Sequence, residues 1–342
     1  MKWSWRNSIV SFFLVVGIIA TYFIIKEYGF GNIIGFYAHF NIWLLIAYIF
    51  TIMTLFAVLT WRWDVILKSR GHKIGFFTLY IYRMIGQGIN FFTPGPRVGG
   101  EPTQAALLGK HGVEFTEGLG TIMIDKIVDT STCGLLFIIG AMLVSIKYAI
   151  PRSAGVYMII GAVIFVSLVG IFYYQMLNSR HFFLHIFRFL GLDRTKNKTL
   201  KKTESKIEEL ELMMIQFYKH DKKTFVYSIL ISLLSWVVMF VEYKIATTLL
   251  GLDLGFLPLF FIITFIGIAI LFPVPMAVGV LEAGQVSAFN IIQVQASAGV
   301  ALAFLVRTKD FLWALVALAL LAMFGFDVGK TIEKKYKRKP SE

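Results

Sequence analysis

Cysteine, histidine and charge are what this sequence has little of. One cysteine, Cys133, stands among 342 residues. It cannot form an internal disulfide, and the six histidines show no Cys/His spacing for zinc. His181 and His185 lie four apart, close enough for one helix face, but no third ligand accompanies them. No P-loop lysine motif, nucleophile-elbow serine, HExxH or dinucleotide fingerprint occurs. Ordinary soluble catalysis, a metal and an organic cofactor are therefore not expected.

Charged residues make up 15% of the chain, against about 25% in soluble domains. Acidic residues are scarcer than basic ones, 20 against 33, which leaves a net charge of +13. Apolar residues take their place, at 57%, with a mean hydropathy of +0.74. This is the composition of a multi-pass membrane protein.

Six segments are long enough to cross about 30 Å of hydrocarbon: Ser8–Ile25, Asn41–Thr60, Leu119–Ile146, Val156–Tyr174, Thr224–Leu250 and Val300–Phe326. No small-residue cleavage site follows Ile25, so the first reads as a retained helix. Two further apolar stretches, Gly75–Thr93 and Phe256–Phe272, break at prolines and then resume. The breaks are Pro94-Gly95-Pro96 and Pro273-Val274-Pro275. Proline interrupts a helix, and irregular backbone at membrane depth persists only where protein or a wet cavity surrounds it. Both stretches are expected to form re-entrant helical hairpins. With the N-terminus inside, the inner segments 1–7, 61–75, 178–223 and 328–342 hold 23 of the 33 Lys/Arg, and the outer loops hold 3. This asymmetry puts both termini in the cytoplasm and accounts for the net charge without nucleic acid. The basic tail from Lys334 to Lys339 faces anionic headgroups. Within 178–223, Ile207, Leu210, Met214 and Phe217 recur at helical spacing, with Glu204, Glu208 and Glu211 on other faces. An amphipathic helix on the inner leaflet is expected there.

The two broken stretches are related by a constant offset. Gly86 maps to Gly267, Phe91 to Phe272, Pro94 to Pro275 and Glu101 to Glu282. In the same register Gly118 maps to Gly299, Lys126 to Arg307 and Asp129 to Asp310. The matching halves are 41–146 and 222–327, and the assigned topology makes them inverted, a recurring transporter plan. The expected fold is all-α, a single domain over 1–342 of about six full spans and two re-entrant hairpins.

Charges in apolar runs are costly, so they pair or face a cavity. Glu101, Lys126, Asp129, Glu282, Arg307 and Asp310 are the candidates. Each hairpin Glu could reach the base of its own half or the other, and Lys126 with Asp129, or Arg307 with Asp310, could pair along a helix. The helix starts after Gly99-Gly100 and near Gly279 would aim N–H groups and positive dipole ends inward. Pro102 suits such a first turn, and Arg97 adds charge at the first tip. A phosphate is the expected ligand. Buried ion pairs that only lock helices together are the competing reading.

The stretch Asn90-Phe91-Phe92-Thr93-Pro94-Gly95-Pro96-Arg97-Val98-Gly99-Gly100-Glu101, the segment Asp125-Lys126-Ile127-Val128-Asp129 and Pro273–Glu282 resemble the lysylphosphatidylglycerol synthase transmembrane family. The resemblance covers about residues 8–327. It implies a flippase-like membrane protein that moves a phospholipid such as lysyl-phosphatidylglycerol, or another lipid-linked headgroup, across the cell membrane. The chain is expected to lack the synthase domain. A phosphatidylglycerol lysyltransferase activity would therefore come from a separate synthase partner. The alternatives are a secondary transporter of a small charged solute and a membrane subunit of such a lysyltransferase system.

Overall fold

A computed structural model describes residues 22–23, 26, 30–37, 41–92, 99–147, 152–189, 198–271 and 279–337. The first expected span, apart from residues 22–23, and both proline breaks, with Pro94, Arg97 and Pro275, lie outside them. Among the described residues there are helices and no strands. They are α1 (Phe30–Gly35), α2 (Ile42–Ser69), α3 (Phe76–Phe92), α4 (Gly100–Leu108), α5 (Phe115–Lys147) and α6 (Arg152–Leu177). These are followed by α7 (Phe182–Phe189), α8 (Lys198–His220), α9 (Lys222–Leu249), α10 (Phe256–Leu271), α11 (Val280–Ile291) and α12 (Ala296–Lys337).

Local chemistry sets the helix ends. The Asn41 side chain accepts from the Trp43 amide and caps α2. The far end of α2 closes on Gly71 at φ +85°. There the His72 and Gly71 amides donate to Leu67 and Lys68 carbonyls, the double bond pattern of a left-handed helix stop. The end of α9 repeats this in the second half of the chain, with Gly251 at φ +73° and bonds from Leu252 and Gly251 to Thr247 and Thr248. The helix starts repeat as well. Lys222, Phe256 and Val280 open α9, α10 and α11 in the same spacing as Ile42, Phe76 and Gly100 open α2, α3 and α4.

By length and apolarity, α2, α9 and the part Ile159–Leu177 of α6 can cross a bilayer. Their outward faces carry Trp43, Ile46 and Phe50, or Ile160, Val163 and Ile164, or Leu230, Val237 and Val241, all exposed. Apolar faces of this extent call for lipid rather than water as the surrounding medium. α5 and α12 are as long but carry ionised residues in their interiors.

Small residues decide which helices meet. α3 lies on α12, where Gly88 sits against Ala314 and Ala317. α10 lies on α5, where Gly140 faces the Phe260 ring and Thr264. The first leg of each hairpin thus packs on the long helix of the other half of the chain. The second legs pack at home: Gly118 of α5 on Ala105 and Leu108, and Gly299 of α12 on Gln285 and Phe289. Without a side chain at these positions the helix backbones come close, the usual basis of helix association in lipid.

α8 packs deeper than its apolar spacing suggests. Met214 and Phe217 are buried as expected, but so is Glu211, assigned from sequence to a polar face. Its carboxylate accepts from the Phe183 and Leu184 amides and pairs with His181. It supplies the cap that the start of α7 otherwise lacks. Met213 fills the notch that Gly120 leaves in α5.

Candidate functional site

The first hairpin closes backbone to backbone. A methyl group on Gly100 would strike the Gly86 carbonyl, and one on Gly86 would strike Gln104. The Asn90 side chain joins the two legs: the Gly100 amide donates to its Oδ1 at 2.6 Å, and its Nδ2 donates to Glu101 Oε1 at 3.1 Å. Gln104 donates to the Arg83 carbonyl further along. Contacts that step backwards along one leg as they step forwards along the other make the legs antiparallel.

This geometry buries Glu101 at the start of α4 and brings Lys126 of α5 onto its carboxylate. The contact between α11 and α12 repeats the pairing. Glu282, on the first turn of α11, accepts from Arg307 Nη2 at 2.7 Å, with Arg307 Nε 2.5 Å from its other oxygen. Glu282 also reaches back to its own helix start, accepting from the Gly279 amide at 2.9 Å, as a glutamate does at the third position of a capped helix. Each hairpin carboxylate therefore meets the base of its own half. The Gly100 and Gly279 amides are already bonded to side chains, so the charge at these tips is carried by side chains rather than by these two N–H groups.

Asp129 is held by a residue that the sequence reading placed in an inner loop. α2 does not stop at Thr60 but runs to Ser69, carrying Arg62 into the bundle, where it is fully buried. Arg62 Nε is 2.6 Å from Asp125, its Nη1 is 2.6 Å from Asp129, and it also contacts Ser232 of α9. Arg83 of α3 takes the other Asp125 oxygen at 2.9 Å. A permanently charged fork suits two neighbouring carboxylates, of which Asp125 is buried. The corresponding place on α9 holds Glu242, also buried, and its partner on α12 is Lys309 at 2.8 Å. Lys309 is in turn 3.7 Å from Asp310. The contact of α2 with α5 and that of α9 with α12 thus carry opposite polarity. In the sequence register that pairs Glu101 with Glu282, Arg62 falls on Tyr243, so its correspondence with Glu242 emerges only from the matching helix starts. No group of three metal-ligating side chains occurs among the described residues.

Two members of this set face outward. The Lys126 side chain is 42% exposed and that of Asp129 45%. They lie one turn apart on α5, each anchored from behind by a buried partner. Such an arrangement presents a cation and an anion together on one exposed face of α5.

A bundle of apolar helices with paired charges in its interior is the architecture of an integral membrane protein. The chain belongs to the lysylphosphatidylglycerol synthase transmembrane region family, which matches residues 8–323. Its relatives include a UPF0104 membrane protein of Methanothermobacter thermautotrophicus, 23% identical over 82% of this chain and 85% of that protein. A UPF0104 membrane protein of Pyrococcus horikoshii is 23% identical over 76% and 81%. One of Methanocaldococcus jannaschii is 31% identical over 36% of each chain.

Proposed function

We propose that this protein translocates phospholipid headgroups across the cell membrane, with lysyl-phosphatidylglycerol or another lipid-linked headgroup as cargo. The observation that carries the reading is the pair of buried carboxylate–base contacts, Glu101 with Lys126 and Glu282 with Arg307, each at the first turn after a helix break. Mid-membrane charges are retained where they serve a transported group. Lys126 and Arg307 engage the phosphate, with Arg97 at the first tip. Glu101 and Glu282 compete for the same bases and gate entry. Asp129 and Asp310 complete the polar lining.

In this reading the chain has six spans and two re-entrant hairpins, related by inversion, with both ends in the cytoplasm. Phospholipids are its partners, and a separate synthase would supply any aminoacylated cargo.

The test is flipping in liposomes. Purified protein is reconstituted with fluorescent phosphatidylglycerol, its lysyl derivative or a neutral lipid, and dithionite-accessible signal is followed. Fast, headgroup-dependent loss of protection, abolished in Glu101→Gln or Arg307→Ala, is expected. Normal transport by the double variant Glu101→Gln/Arg307→Ala would refute the assignment.

A further inference from the structure

Glu242 and Lys309 have no part in the headgroup site, yet they are a buried ion pair inside the bundle. Glu242 is 1% exposed, two turns from the end of α9. The Lys309 side chain is 15% exposed. The titratable and charged groups acting on Lys309 are Glu242 and Tyr243 of α9, Asp310 on its own helix, and Tyr48 of α2. Tyr48 is 3% exposed, and its hydroxyl has no hydrogen-bond partner among the described residues.

The quasi-equivalent contact between α2 and α5 is built on Arg62. A guanidinium does not give up its proton in proteins, whereas a lysine ammonium and a carboxylate can each change state when buried. In one contact the base is therefore fixed in charge, whereas in the other both members can exchange a proton.

We propose that Glu242 and Lys309 form a proton-exchange site that couples headgroup translocation to a proton gradient; this rests on the translocation reading above. A proton from one side adds to the Glu242 carboxylate and forms an O–H bond. The ion pair to Lys309 is lost. The Lys309 ammonium moves to the Asp310 carboxylate, 3.7 Å away on the same helix. α12 is then released from α9 at this point. Departure of the proton to the other side restores the carboxylate and draws Lys309 back. No electrons move, and each cycle carries one proton.

The experiment uses the full chain in vesicles of phosphatidylglycerol and phosphatidylethanolamine with fluorescent phosphatidylglycerol as probe. The membrane potential is clamped at zero with potassium and valinomycin, and one pH unit is imposed across the membrane. A pH dye is trapped inside. One proton per lipid sustains a leaflet asymmetry of up to about tenfold, because one pH unit is a tenfold proton ratio. We expect wild type to build that asymmetry and Glu242→Gln, which keeps the shape but cannot titrate, to flip to a ratio near one. Brisk flipping by wild type without asymmetry overturns the coupling whatever the variant does, and so does full asymmetry in Glu242→Gln. Collapse of the pH gradient by wild type but not by Glu242→Gln, with no lipid movement, supports the proton site and overturns the lipid reading instead. No proton flux and no flipping overturns both.

Discussion

Glu101 and Glu282 hold corresponding places in the two hairpins, yet their partners are treated differently. Lys126 is 42% exposed beside a buried carboxylate, while Arg307 is 16% exposed and grips both oxygens of a carboxylate with no exposure at all. Glu282 also closes its own helix start, whereas Glu101 is held by Asn90 from the opposite leg. A buried pair with one member removed leaves a charge in a medium that cannot solvate it. In the first pair the base is the exposed member, and the buried carboxylate keeps a second donor in Asn90 when that base moves away. The first hairpin is therefore built for access and the second for rigidity.

Removing Arg307 is the harshest way to probe this difference. Arg307→Ala strands Glu282 and should cost about 3–5 kcal/mol, read as a fall in thermal midpoint in detergent. A smaller loss than that of Lys126→Ala would reverse the assigned roles. The glycines come next. Gly100→Ala drives a methyl group into the Gly86 carbonyl and should cost about 3 kcal/mol. Gly279→Ala places a side chain at φ +79°, ψ −39°, which should cost about 1–2 kcal/mol. Equal losses would mean that the first hairpin relaxes as readily as a turn.

Lys126→Ala leaves the buried Glu101 carboxylate with its bond from Asn90 and should lower stability by about 1–2 kcal/mol, while slowing flipping by about tenfold or more, equivalent to about 1.4 kcal/mol in a barrier. A stability loss without a transport loss would make the Glu101–Lys126 contact a structural tie.

The smallest effect is expected at the end of α9. A hydrogen bond from Lys244 and its charge hold the Asp253 carboxyl below its ordinary range. A depressed pKa contributes stability above the ordinary carboxylate value and loses it as pH falls through the lowered one. Asp253 is almost fully exposed, so Asp253→Asn should track the wild-type thermal midpoint from neutral to acidic pH. A separation of the two curves near neutrality that closes at low pH would show the pair to be stronger than its exposure implies.

The four residues of the two Glu–base contacts were legible because the same Glu-to-base spacing recurs in both halves and both ends are charged, but spacing left open whether each Glu meets the base of its own half or of the other. Hydropathy found α2 and α9, where long apolar runs leave little choice. It misjudged where α2 ends, because Arg62 lowers a window average although its charge is fully neutralised by Asp125 and Asp129. Pattern also misplaced Glu211. Helical periodicity sorts residues by face, but a buried carboxylate that caps another helix obeys the needs of that helix, which no local window contains. The pairing of Asp129 with Arg62 was hidden for the same reason, since the two stand on different helices far apart in the chain.

The fit of Met213 into the space beside Gly120 has a consequence for leakage. A bundle with ion pairs in its interior conducts water and protons wherever its flank is porous, and Asp125 lies little more than one turn beyond this gap in α5. Met213 is a stopper for that flank, and α8 is the strap that keeps it seated. Loss of α8 from the bundle would uncork it there, so the segment between α6 and α9 sets how tight the protein is.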